Sequence, residues 1–413
     1  MPALTSQPSR YIWLVVALLW PVALFNYLDR QLLASMKFSV MSDITTIKDD
    51  TNWGYMLGQF KWVYAFLSPI GGYLADRFSR RLTICASLFV WSLVTWATGH
   101  VTTYQGLLWT RTLMGISEAF YIPAALALIA DYHSGRTRSR AVGIHQMAIY
   151  CGIIIGGFGG YVADDRALGW RFAFDVTGLA GVIYALPLLL LLRDAPRASL
   201  EIADIQKRSV ASSMRELLTN GSFILLVLCF TLPAMAGWVV RDWMPAILKT
   251  RFNIGQGIAG VSATLYVNIA SIVGAIAGGW AADRWIRHGT RRGRIFVSAL
   301  GMSLFIPSLF GVGYAPTLAI AIAALSLFGF GWGCFDCNNM PILSQIVGPH
   351  LRATGYGIMN LVSISAGGLI DWRYGQLRDK GVPDSTTFAI FAAIALLSVA
   401  LILCIKPRAE TTA

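Results

Sequence analysis

Four charged residues stand where charge is hardest to place. Asp29 and Arg30 belong to the run Asn26-Tyr27-Leu28-Asp29-Arg30, and Arg111 and Glu118 to the run 109–123, both inside long apolar segments. A charge at bilayer depth is costly, so such groups face a partner or a water-filled path. Arg111 and Glu118 are seven residues apart, two helical turns, and project from nearly one helix face. A guanidinium grips a carboxylate or phosphate with two parallel hydrogen bonds. A carboxyl beside it takes up or releases a proton as the local charge changes. The chemistry these residues support is anion binding linked to proton exchange. The alternative is a structural ion pair that ties helices together, which for Arg30 means a fixed partner for Asp29 or Glu118.

Other polar residues fall in apolar segments. Gln59, Lys61 and Tyr64 lie in the second, Gln146 in the fifth, Asp336, Asn338 and Asn339 in the tenth and Asn360 in the eleventh. The amides suit hydroxyl groups of a ligand, and the Asp-x-Asn-Asn cluster is too polar to face lipid. Lys61 either adds positive charge to a cavity or snorkels outward. His145 fits packing better than a site. Cys334-x-x-Cys337 has redox spacing but no αβ context, and all six cysteines fall within or at the ends of apolar runs, which disfavours a disulfide framework. No P-loop, nucleotide fold, metal-ligand cluster or hydrolytic triad is visible. The sequence therefore points to neither an enzyme nor a cofactor or metal protein.

The elements that must hold these residues are transmembrane helices. The chain has 413 residues, 56% hydrophobic and 13% charged, with a mean hydropathy of +0.59. A soluble domain is about 25% charged. Hydropathy predicts twelve spans, near 11–37, 52–76, 82–100, 104–131, 139–163, 168–193, 221–248, 256–283, 294–312, 316–345, 353–376 and 385–406, each long enough to cross a bilayer. No signal peptide is evident, and the first span reads as retained. The net charge of +12 gathers in alternate loops and in the polar segment 194–220. That is the positive-inside bias rather than a nucleic-acid surface, and it predicts that both termini are cytoplasmic. The fold expected is an all-α integral membrane protein of two six-helix halves, 1–193 and 221–413, joined by a cytoplasmic linker at 194–220.

The halves repeat. Gly72-Tyr73-Leu74-Ala75-Asp76-Arg77-Phe78-Ser79-Arg80-Arg81 follows the second span, and Gly279, Asp283, Arg284 and Arg287 recur after the eighth with the same G-x-x-x-D-R-x-x-R spacing. Arg140-Ala141-Val142-Gly143 is echoed by Arg352-Ala353-Thr354-Gly355. The complete loop motif resembles the signature of the major facilitator superfamily, and the resemblance extends over essentially the full chain. It implies a twelve-helix fold with two pseudo-symmetric halves that alternate access to a central site. It also implies a conformational clasp built from Gly72, Asp76, Arg77, Arg80 and Arg81. The His288-Gly289 insertion departs from the pattern in the second half.

The N-Y-x-D-R run and Gly115-Ile116-Ser117-Glu118-Ala119 together resemble the anion:cation symporter branch, which carries hexuronate, galactonate and glucarate type sugar acids. The branch implies proton carriage by Asp29 and Glu118, and substrate contact by Arg30, Tyr64, Arg111 and Asn360. Gln146 and Asn339 would add hydroxyl contacts. The expected activity is proton-coupled symport of a small organic anion by a monomer in the cell membrane, the inner membrane if bacterial. Met340-Pro341 departs from the branch's Trp-Pro. Spinster-like lysolipid carriers share both motifs and form the first alternative. Organophosphate:phosphate antiport is a second, and a non-transporting sensor or scaffold a third.

Overall fold

The computed structural model describes residues 9–133, 137–195, 210–290, 292–348 and 351–406; at 9, 72–77, 139, 210–213 and 353 the description covers the backbone alone. The described residues form helices and connecting turns. In chain order these are α1 (Ser9–Ser35), α2 (Lys37–Asp43), α3 (Asp50–Arg77), α4 (Arg80–Thr98), α5 (Tyr104–Glu118), α6 (Tyr121–Tyr132), α7 (Arg138–Gly157), α8 (Gly159–Asp164), α9 (Gly169–Leu191), α10 (Val210–Leu218), α11 (Gly221–Phe252), α12 (Gln256–Arg287), α13 (Gly293–Tyr314), α14 (Leu318–Asp336), α15 (Asn339–Ile346), α16 (Arg352–Asp379) and α17 (Asp384–Leu403).

Among the described residues, ten helical stretches are long and apolar enough to cross a membrane. The long helices α3 and α16 complete the twelve-span fold; they carry the polar residues Gln59, Lys61, Asn360 and Asp371. Starts are set by local chemistry. Ser79, Thr103, Asn220 and Thr317 each accept a hydrogen bond from the backbone N–H three residues on, the usual end of a helix N-cap.

Three spans are broken in the middle. The fourth is α5 plus α6, the fifth α7 plus α8 and the tenth α14 plus α15. In two of them proline explains the break. Pro123 and Pro341 each stand three residues into the second piece, where the ring excludes the carbonyl four residues back, at Ala119 and at Cys337. These breaks fall directly after Glu118 and directly after Asp336.

The chain forms two compact units, and they differ from the linear halves by an exchange of short segments. The first unit is Met1–Lys48, Gln59–Ala198 and Ile254–Val261. Here α1 packs on α7 and α4 on α9. Gly152 of α7 lies against the Leu24 carbonyl of α1, and Gly178 of α9 against Trp96 of α4, so neither position has room for a side chain. The start of α12 joins this unit through Gln256. Its Oε1 accepts from the N–H groups of Phe38 and Ser39 at 3.1 and 3.2 Å, and its Nε2 donates to Asp164 Oδ1 at 3.0 Å.

The second unit is Asp49–Gly58, Ser199–Asn253 and Ser262–Ala413. Here α11 packs on α16 and α17, and α13 on α14 and α17. The start of α3 joins it through Asp50, which accepts from Arg378 Nε at 2.8 Å, while the Thr51 N–H donates to Asp379 at 2.7 Å. Arg378 also pairs with Asp384 at 3.0 Å.

Candidate functional site

The charged residues singled out in the sequence come together inside the first unit. α1 supplies Asp29 and Arg30, α3 supplies Tyr64, and α5 supplies Arg111 and Glu118 as its last residue. Asp29 and Arg111 are almost wholly buried, and Glu118 is 0% exposed. Glu118 is paired with Arg30: Nε donates to Oε2 at 2.7 Å and Nη2 lies 2.6 Å from the same oxygen. Three aromatic rings surround the Arg30 guanidinium, Tyr27 at 4.9 Å and Phe60 and Tyr64 at 4.8 Å each. An arginine stacked on ring faces keeps its charge in an apolar setting and still presents its edge to an anion.

Arg111 takes a different partner from the one its helix face suggests. It donates to Thr98 Oγ1 of α4 at 3.3 Å, and its Nε has no hydrogen-bond partner among the described residues. Two helical turns carry a side chain about 10.5 Å along the axis. Sharing a face with Glu118 therefore does not bring the two into contact, and Arg30 reaches the carboxylate from the neighbouring helix instead. Asp29 accepts from Thr95 Oγ1 at 2.8 Å through Oδ2, while Oδ1 has no donor among the described residues. All four charges lie within electrostatic reach of one another. The orphaned polar atoms on Asp29 and Arg111 are costly in an apolar interior.

Thr95 and Thr98, three residues apart on α4, went unnoticed in the sequence. So did Tyr27 and Phe60 as ring partners of Arg30. Two hydroxyl residues at helical spacing inside an apolar span were the available signal. Gln59 donates to Thr112 at 2.6 Å and ties α3 to α5. Lys61 is buried, so it does not snorkel outward. Gln146 is exposed, and His145 is buried against Tyr121, whose hydroxyl lies 2.9 Å from its Nε2.

Asn339 and Asn360 belong to the second unit. Asn339 is buried and donates to Asp336 Oδ1 at 3.2 Å, while Asn360 is half-buried on α16. Of the clasp residues, the side chains of Gly72, Asp76 and Arg77 lie outside the described residues. Arg80 pairs with Asp131 at the end of α6 and donates to the Ala127 carbonyl at 2.9 Å. The Arg81 guanidinium donates to the Leu189 carbonyl at 3.1 Å, and its backbone N–H to Asp194 at 2.9 Å.

Ten long apolar helical stretches among the described residues, two further long helices, an internal repeat and a buried cluster of two arginines and two carboxylates describe a membrane transporter. Residues 19–370 match the model of the Major Facilitator Superfamily, and the chain belongs to that superfamily. Protein spinster homolog 1 of Homo sapiens is 31% identical over 316 residues, which cover 72% of this chain and 59% of the human protein. The Xenopus tropicalis homolog is 28% identical over 382 residues, 87% of this chain and 71% of its own. The chain thus spans well under two thirds of the length of the human relative. A solved bacterial homolog of the human lysosomal transporter Spinster, in an inward-facing and occupied conformation, superimposes with a TM-score of 0.80 at 20% identity, covering 96% of this chain and 97% of that one. A D-xylose-proton symporter gives 0.74 at 18% identity, covering 96% and 98%. These two likenesses are of fold.

Proposed function

We propose that the protein is a Spinster-type secondary transporter that carries an amphiphilic organic anion, a lysolipid with a charged headgroup, by proton-coupled alternating access in the cell membrane. The observation that carries this reading is the Arg30–Glu118 pair, buried and boxed by Tyr27, Phe60 and Tyr64. Aromatic walls suit a ligand with apolar surface next to its charge, and the sequence relatives are Spinster homologs.

The mechanism follows from competition. An ionised Glu118 and a ligand anion both need the Arg30 guanidinium. A proton on Glu118 releases Arg30 to the ligand, so binding and proton uptake favour each other. Arg111, whose Nε has no hydrogen-bond partner among the described residues, supplies a second donor to the same anion, and Asp29 Oδ1 is the position for a second proton. Tyr64, Gln146, Asn339 and Asn360 are the proposed further contacts. The two six-helix halves rock about the site, and the loop motif holds one state. The transporter works as a monomer with its termini in the cytoplasm.

A soluble sugar acid is the second reading, favoured by the polar run Asp336, Asn338 and Asn339. The test is thermal stabilisation of the purified protein, because a ligand that binds the folded state raises the melting point by mass action. Stabilisation by lysophosphatidate or lysophosphatidylglycerol and none by galacturonate is expected. The reverse pattern supports the sugar-acid reading and discards the lipid one.

A further inference from the structure

One face of α4 changes character where it meets the charged cluster. Ile84, Leu88, Trp91, Thr95 and Thr98 recur at steps of four and three residues and are all buried, so they share one inward stripe. Apolar side chains fill the first three positions. A valine has the same branched shape as threonine, so packing accounts for the form of Thr95 and Thr98 but not for their hydroxyls.

The two hydroxyls play opposite hydrogen-bond roles. Thr95 Oγ1 donates to Asp29 Oδ2 at 2.8 Å. Thr98 Oγ1 gives its single hydrogen to the Val94 carbonyl at 2.8 Å, so toward Arg111 it can only accept, from Nη2 at 3.3 Å. The two threonines stand about 4.5 Å apart along the axis of α4. Asp29 of α1 and Arg111 of α5 are thus held about one helical turn from each other, yet no ion pair joins them among the described residues. Opposite charges this near in an apolar interior attract strongly and close to contact unless other bonds hold them. Arg30 and Glu118 are the closed case, in direct contact. Arg111 rests instead on a neutral oxygen, which orients the guanidinium and leaves its charge uncancelled.

We infer that Thr95 and Thr98 are positioning residues that keep Asp29 and Arg111 from closing on each other, and so hold the Arg111 charge available for the ligand's phosphate or carboxylate. The inference rests on the organic-anion reading above. Thr95 occupies one oxygen of the carboxylate, and Thr98 one nitrogen of the guanidinium. Loss of either hydroxyl lets Asp29 reach Arg111, where it competes with the ligand anion for the same donors.

The experiment is equilibrium binding to the purified protein, with lysophosphatidate and galacturonate as charged probes and a monoacylglycerol of the same chain length as the uncharged one. Thr95→Val and Thr98→Val each lower affinity for the bound charged probe about tenfold, the worth of one hydrogen bond to a charged group, and leave the uncharged one unchanged. Thr95→Ser and Thr98→Ser keep the hydroxyl and bind like the parent. Adding Asp29→Asn to either valine variant restores the affinity, because the internal competitor is then neutral. The two valine variants act from opposite sides of the pair, so if one fails to fold the other decides. A purely stabilising role gives a different signature, which overturns the inference: the valine variants melt lower, charged and uncharged probes move together, and Asp29→Asn restores nothing. Parental binding of the charged probe by both valine variants overturns this inference alone. A parent that binds neither charged probe overturns the organic-anion reading together with it.

Discussion

Arg30 neutralises a fully buried carboxylate, and in the proposed mechanism it is also the cation an incoming anion must reach. Removing one partner of a buried pair leaves an uncompensated charge and costs about 3–5 kcal/mol. Arg30→Ala should therefore lower the melting point strongly, and adding Glu118→Gln should restore most of it, as read by thermal unfolding in detergent. Failure of the second change to rescue would mean that Glu118 does not depend on Arg30. Arg30→Lys keeps the charge but loses the two-pronged edge. Charge-assisted bonds are worth about 1.5–3 kcal/mol, so anion affinity should fall at least about tenfold. The identity of these residues was legible in the sequence, because ionisable groups in apolar spans have few other reasons to be there. Their pairing was not, since α1 and α5 meet through tertiary packing that helical spacing does not encode.

Glycine and proline decide the elements. Gly152 lets α1 and α7 approach backbone to backbone, and a methyl there would strike the Leu24 carbonyl. Gly143, nine residues earlier on the same helix, has open space around it. Gly152→Ala should lower the melting point, whereas Gly143→Ala should be neutral or raise stability by up to about 1 kcal/mol, since glycine is the poorer helix former. Equal melting points for the two variants would contradict the close packing of α1 on α7. The existence of the spans was readable from hydropathy alone. The breaks after Glu118 and Asp336 were hidden, because hydrophobicity runs on unbroken through both, and only Pro123 and Pro341 hinted at them.

Across the whole molecule, the repeat was visible in the loop motifs, but the exchange of 49–58 and 254–261 between compact units was not. It depends on contacts such as Arg378 with Asp50, 328 residues apart, for which local pattern holds no information. The side on which the loops lie is proposed from their charge. In a background lacking the six native cysteines, a cysteine at Thr219 should react with a membrane-impermeant thiol reagent only when the cytoplasmic side is opened, and one at Thr45 should react from outside. Reaction of both from the same side would contradict the topology.

The proposed link between proton and ligand at Glu118 is tested most directly by following protons during binding. Purified protein in a weakly buffered solution with a pH indicator is mixed with lysophosphatidate, and the proton change is compared with that on mixing with a monoacylglycerol. Competition for Arg30 predicts net proton uptake by the parent on binding the anion, and anion binding with markedly less uptake by Glu118→Gln. Anion binding by the parent without proton uptake, or undiminished uptake by Glu118→Gln, would contradict it.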